Sequence, residues 1–268
     1  MSGTKRWTAP RIRAAKGKER LAMLTAYDFP TACLADAAGA EILLVGDSLG
    51  MVVLGYETTL PVTVDDMIHH TKAVVRARKQ ALVVTDLPFM SFQASPADAL
   101  RSAGRIVKEG GADAVKFEGG SRVAESVAAI VEAGVPVMGH LGLTPQSVLQ
   151  MGGYRVQGRE ARSADALLAD ADTLVAAGIF SLVLEGIPGE LAGRVTARVP
   201  VPTIGIGAGP SCDGQVLVWH DVLGLYHGQP AKFVRRYAEL ARDAADGLRR
   251  FVADVKAGEF PSREESYE

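Results

Sequence analysis

Residues 81–118 read ALVVTDLPFMSFQASPADALRSAGRIVKEGGADAVKFE, and this stretch decides the fold class. It opens with an apolar, β-branched run (81–86) that closes on Thr85-Asp86. It ends with a second such run (113–118) that closes on Glu118. Between them lies a longer amphipathic run with a recognisable start: Ser95 as N-cap, Pro96 at the first helical position and Asp98 two further on. Gly110 follows that run, where a left-handed residue can end a helix. A strand, a helix and a second strand in this order make a βα unit beside a parallel sheet.

The same grammar runs outward in both directions. Further strand candidates are LAMLTA (21–26), EILLVG (41–46), VPVMGH (135–140), FSLVLE (180–185), VPTIGI (201–206) and QVLVWH (215–220), which brings the total to eight. Gly39, Gly134 and Gly178, like Gly110, each follow a helix-like run and directly precede a strand. Eight strands with intervening helices in 268 residues fit a closed (β/α)8 TIM barrel better than an open doubly wound sheet, although counting alone does not exclude the latter. The expected organisation is a basic N-terminal helical segment (1–20), one barrel domain (21–257) and a polar, acidic tail (258–268). Two connections, Leu49 to Thr63 and Leu141 to Arg162, exceed a tight loop, and loops of that length tend to be functional.

Composition narrows the function classes. Lys+Arg total 29 against 31 Asp+Glu, a net charge of -2, so no overall basic field holds a polyanion by counterion release. Cys33 and Cys212 are the only cysteines; they form neither a disulfide framework nor a thiolate zinc site of the usual spacing, which points to a reducing compartment. The uncharged stretch Ala133 to Tyr154 holds Pro136, His140, Pro145, Gln146, Gln150 and five glycines, unlike a membrane span. Residues 1–20 hold seven Lys and Arg with Glu19 the only acid. They have no long apolar stretch like a signal peptide, so a leading helix packed on the domain is the better reading than a targeting segment. The expected location is the cytoplasm, and no nucleic-acid or membrane partner is expected.

In such a barrel the active site lies where strands end and βα loops begin. Those ends are polar here: Asp47-Ser48 after the second strand, Asp86 after the third, Lys116 and Glu118 on the fourth, His140 on the fifth and Glu185 on the sixth. Alternation sends Ala114, Lys116 and Glu118 to one face and the apolar Val115 and Phe117 to the other, which points the polar pair into the mouth. The same count places Asp47 after Leu43 and Val45, Asp86 after Leu82 and Val84, and Glu185 after Val183. Each residue alone could be a cap, a turn former or half of an ordinary ion pair. Together, four carboxylates and one lysine in a small volume are costly unless a cation or proton relieves them. Oxygen donors favour a hard ion such as Mg2+ over zinc. His140 and His220 could face the mouth or serve the core, and Gly205 to Gly209 could cradle a phosphate or allow close backbone approach.

Several quoted segments resemble one family. LTAYD (24–28), LLVGDSLGMVVLGYETTLPVT (43–63), DLPFMS (86–91), VKFEGG (115–120), GHLGLTPQS (139–147), GGYRVQGR (152–159), LVLEGIP (182–188) and IGIGAG (204–209) are similar, in order, to ketopantoate (3-methyl-2-oxobutanoate) hydroxymethyltransferases of the phosphoenolpyruvate mutase/isocitrate lyase superfamily. The resemblance implies a TIM-barrel enzyme that moves a hydroxymethyl group from 5,10-methylenetetrahydrofolate to 3-methyl-2-oxobutanoate, giving 2-dehydropantoate for pantothenate synthesis through a metal-stabilised enolate. By the same resemblance, Asp47, Asp86 and Glu118 surround Mg2+. Asp47, Ser48, Asp86 and Lys116 contact the keto acid, and Glu185 accepts the proton. One departure lies beside that base, where relatives often carry Cys and this chain reads Gly186-Ile187. The family also implies a homo-oligomer, a decamer built as a pentamer of dimers. The K-x-C-G-H loop of the superfamily's lyases is not found, and a silent scaffold barrel would have no use for the acidic mouth.

Overall fold

The eight β-branched runs become eight parallel strands: β1 (Leu21–Thr25), β2 (Ile42–Val45), β3 (Leu82–Asp86), β4 (Ala114–Glu118), β5 (Val137–Gly142), β6 (Ser181–Glu185), β7 (Thr203–Ile206) and β8 (Gly214–Leu217). A computed structural model describes residues 6–225 and 230–267. Each strand pairs with the next, and β8 pairs with β1, so the sheet closes into a barrel. Eight α-helices lie between β1 and β7: α2 (Phe29–Ala37), α3 (Leu49–Val52), α4 (Val64–Ala77), α5 (Pro96–Arg105), α6 (Ala124–Glu132), α7 (Val148–Met151), α8 (Ala161–Ala176) and α9 (Gly189–Arg198), and the short α1 (Ala9–Ala14) precedes β1.

Alternation along the strands sorts the core into two layers. Ile42, Leu44, Leu82, Val84, Ala114, Met138, Val183 and Ile204 fill the barrel interior. Leu43, Val45, Val83, Val115, Phe117, Val137, Leu182 and Leu184 pack outward with helix residues such as Met67, Val74, Ala99 and Leu174. Trp7, Ala9, Ile12 and Ala15 join the interior layer, so α1 closes the barrel end opposite the strand C-termini. Its basic flanks are anchored there. Arg6 and Arg78 both pair with Asp113, just before β4, and Lys16 Nζ lies 2.8 Å from Asp213 Oδ2, just before β8.

The helix signals work as local chemistry predicts. Ser95 accepts from the Asp98 amide with Pro96 in the first turn, and Thr63 and Asp66 form a reciprocal capping box that opens α4. Two expectations shift. The run from Pro96 ends in a π-helical turn, Ile106–Gly110, and the left-handed residue is Gly111 (φ 81°) rather than Gly110. Gly110 is instead a close-approach residue, because a Cβ there would sit 3.1 Å from Thr71 Cγ2 on α4. No helix separates β7 from β8; residues 207–213 make the return alone. Seven residues reach up to about 24 Å when extended, enough to run back along a four-residue strand.

The chain divides into two compact units, Met1–Val218 and Trp219–Glu268. The sequence reading carries the barrel to residue 257 and ends the eighth strand at His220. In the structure β8 stops at Leu217 and His220 lies in α10 (Trp219–Val222), because period-2 patterning over six residues does not tell a strand from one helical turn. The second unit also holds α11 (Leu240–Ala257), whose Leu248, Phe251, Val252 and Val255 recur at helical spacing, with the Phe260 ring 5.4 Å from that of Phe251. His227 lies outside the described residues. Among the described residues, no helix is long and apolar enough to cross a membrane.

Candidate active site

The barrel interior is apolar up to the C-terminal ends of the strands, and there it becomes polar. Asp86, Lys116, Glu118 and Glu185 continue the inward rows begun by Val84, Ala114 and Val183, and His140 continues the row of Met138. Asp47 does not arrive that way. Leu43 and Val45 face the helices, so strict alternation would send Asp47 outward with them. Strand β2 stops at Val45 and the chain turns at Gly46, which brings Asp47 back over the mouth, where its amide donates to Asp86 Oδ2 at 3.1 Å. A side chain at Gly46 would meet Ser48 Oγ at 2.8 Å and Asp86 Oδ2 at 3.5 Å, so the turn needs glycine.

The predicted residues come together as one buried network. Lys116 Nζ lies 3.0 Å from Asp86 Oδ1 and donates to His140 Nδ1 at 3.1 Å. His140 Nε2 stands 3.2 Å from Glu185 Oε2. Ser48 Oγ shares a hydrogen bond of 2.8 Å with the Tyr27 hydroxyl and makes no cap to α3, which removes the capping explanation for it. The Lys116 partner is Asp86 rather than its strand neighbour Glu118.

Gln146, from the long connection after β5, joins the two halves. Its side-chain amide donates to Asp47 Oδ2 at 2.8 Å and to the Leu87 carbonyl at 2.9 Å, while its backbone N–H donates to Glu118 Oε2 at 2.9 Å. Gln93 donates to Gln146 Oε1 at 3.0 Å. Gln146 and Tyr27 escape a reading of strand ends because they reach the mouth from a short helical turn in a long connection and from the segment after β1, and His70 Nδ1 lies 2.6 Å from the Tyr27 carbonyl. The one available signal was the length of the 141–162 connection. That segment is tied to the sixth strand's end, with Leu143 N–H donating to the Glu185 carbonyl at 2.8 Å and Gln157 N–H to the Gly186 carbonyl at 2.9 Å. Tyr154 on it also donates to Met51 Sδ at 3.7 Å, so the two long connections meet.

Burial sets the electrostatics. It pushes Asp47 up to about 7, helped by the neighbouring Asp86 charge and opposed by Lys116. Burial, then Asp47, holds the Glu118 carboxyl well above the usual range. Burial also raises Glu185 to about 7 against the pull of Lys116. For Lys116, burial works downward but Asp86, Glu118 and Asp47 outweigh it and push the ammonium up to about 12. Burial, then the Lys116 charge, holds His140 well below its usual value, so the imidazole is neutral. The mouth therefore contains one fixed cation and several carboxyls that resist ionisation together.

Among the described residues, no group of three or more His, Cys, Asp or Glu side chains is placed to hold a metal ion. Asp86 Oδ1 is nevertheless buried with no directed hydrogen bond beyond its ion pair. The glycine-rich return after β7 is explained by close packing: a Cβ at Gly209 would lie 3.0 Å from Gly189 Cα, and one at Gly205 would lie 3.0 Å from Cys212 Sγ.

Comparison with known proteins bears on this site. The sequence model of the ketopantoate hydroxymethyltransferase family matches residues 6–263. The chain is 59% identical to the 3-methyl-2-oxobutanoate hydroxymethyltransferase of Moorella thermoacetica over 100% of both chains. Among solved structures, it resembles 2,3-dimethylmalate lyase, a PEP mutase/isocitrate lyase superfamily member (TM-score 0.60, 16% identity, 97% of this chain and 91% of that one). It also resembles phosphoenolpyruvate phosphomutase from Streptomyces platensis (TM-score 0.61, 14% identity, 94% and 88%). At these identities the two structural likenesses speak for the fold.

Proposed function

The chain is an enzyme of the ketopantoate hydroxymethyltransferase family, and from that premise we propose that it transfers a hydroxymethyl group from 5,10-methylenetetrahydrofolate to 3-methyl-2-oxobutanoate, giving 2-dehydropantoate. The observation that carries this reading is the buried cluster of Asp47, Asp86 and Glu118, with the partly buried Glu185 in the same mouth, around the single ammonium of Lys116. It is a site short of positive charge, and a 2-oxo acid brought in with a divalent cation supplies what it lacks.

The residues suit Mg2+. The donors are hard carboxylate oxygens, Asp86 Oδ1 is buried without a directed hydrogen bond, and burial raises both the Asp47 and Glu118 carboxyls, with the Asp86 charge adding at Asp47 and the Asp47 charge at Glu118. Asp47, Asp86 and Glu118 would hold the ion. When bound, the ion polarises the keto group and stabilises negative charge developing on its oxygen.

The chain's own groups do the rest. Lys116 neutralises the substrate carboxylate from a position fixed by Asp86 and His140. Ser48, held by Tyr27, orients the keto acid by hydrogen bond, together with Asp47 and Asp86. Glu185, raised to about 7 by burial, takes the proton from C3. The carbon so activated attacks the one-carbon unit of the folate, and the enzyme's remaining task is to hold the two reactants in line. Cytoplasmic location and assembly as a decamer belong to the same reading.

Proton NMR of 3-methyl-2-oxobutanoate in D2O tests it. The enzyme with Mg2+ should wash out the C3 proton, and Glu185→Gln should bind the keto acid with little change while slowing the exchange by at least about a hundredfold. Exchange that proceeds equally well in Glu185→Gln removes that residue from the mechanism. Folded enzyme that gives no exchange with Mg2+ and folate present overturns the reaction.

A further inference from the structure

We infer that His140 is a positioning residue that couples the substrate-carboxylate site to the base, accepting from Lys116 at Nδ1 and directing an Nε2 proton to Glu185 Oε2, so that Glu185 Oε1 is the atom left to take the substrate proton. This inference rests on the reaction proposed above.

The argument begins with donors and acceptors. A lysine ammonium has three protons and no lone pair, so the ring nitrogen 3.1 Å from Lys116 Nζ must be an acceptor. A neutral imidazole with an accepting Nδ1 carries its proton on Nε2, and that atom lies 3.2 Å from Glu185 Oε2. A doubly protonated ring would press an N–H against the ammonium. The Nε2···Oε2 approach has the distance of a hydrogen bond without its direction. His140 is 2% exposed and sits within β5, two residues before the strand ends at Gly142, so the ring cannot swing away. One rigid ring thus spans two groups whose jobs differ: Lys116 binds, and Glu185 reacts.

That division gives a test. His140→Asn places an amide near the Nδ1 position and removes the contact to Glu185. His140→Gln can place an amide near the Nε2 position and removes the acceptor for Lys116. The exchange of the C3 proton in D2O with Mg2+ is measured for both against the wild type. His140→Asn should keep KM for 3-methyl-2-oxobutanoate within about threefold and lose about a hundredfold in the exchange kcat, the scale expected when a reacting group is displaced by about 1 Å. His140→Gln should keep kcat within about threefold and raise KM about tenfold or more, the scale of a lost hydrogen bond to a charged group.

Equal losses in both variants, or no loss in either, overturn the inference while wild-type exchange leaves the reaction itself standing. Absence of exchange in the wild type counts against the reaction instead. Where a variant does not fold, the tautomer is read on the wild-type enzyme by 15N NMR of labelled histidine. A proton on Nε2 with Nδ1 bare supports the inference, and a proton on Nδ1 overturns it.

Discussion

Glu185 shows how a single position acquires its chemistry. Its side chain keeps 17% of its surface open toward the mouth, and burial of the rest raises its carboxyl to about 7. A base works in its ionised form, so the raised value means activity is lost as pH falls. The rate of C3-proton exchange should decline about tenfold for each pH unit below a midpoint near or under 7, a bound cation drawing that midpoint down, and should level off above it. A pH profile of wild-type exchange checks this, and a rate that stays flat from about pH 5 to 8 would remove Glu185 as the titrating base. Asp47 illustrates the complementary point. Residue type identified it correctly as a mouth residue, but alternation did so for the wrong reason, since the outward row of Leu43 and Val45 would have carried it away had β2 not ended early.

The ends of β5 and β6 are the element on which this base depends. Gly142 has φ 97°, and a Cβ there would fall 2.2 Å from the Glu185 carbonyl and 2.7 Å from Ile187 Cγ2. Neither the backbone conformation nor the space admits a side chain. Gly142→Ala should therefore push the end of β6 outward and reduce exchange by about a hundredfold in protein that still folds. Circular dichroism alongside the exchange assay distinguishes this from unfolding, and a normal rate would show that β6 tolerates the displacement. The same end of β5 feeds the connection that delivers Gln146 to Asp47 and Glu118. Nothing in the sequence of that connection announces a reach across the mouth, because its polar side chains have no period and the partners of Gln146 lie 99 and 28 positions earlier in the chain.

Over the whole first unit, stability and chemistry sit at opposite ends of the barrel. Trp7, Ile12 and Ala15 seal the strand N-termini, and the carboxylates gather at the C-termini. Ile12 is fully buried. Ile12→Ala should cost about 2 to 5 kcal/mol of stability and leave the exchange rate per folded molecule unchanged. A denaturant midpoint paired with the exchange assay measures both, and a fall in intrinsic rate would mean that the plug supports the mouth as well. Assembly is tested at the same scale: light scattering should give ten times the 28.2 kDa chain mass, and a monomer would overturn the decamer.

The sequence by itself determined the eight strands to within a few residues, the capped start of α5, and the residue types at the strand ends, because these depend on local periodicity and on backbone chemistry that neighbours along the chain supply. Resemblance added the family. Only the tertiary structure decided that Asp47 turns inward at Gly46, that Lys116 pairs with Asp86 instead of Glu118, that His140 bridges Lys116 and Glu185, and that Gln146 closes over the carboxylates. Each of these is a contact between residues remote in sequence, and its strength comes from burial, which exists only once the barrel has closed.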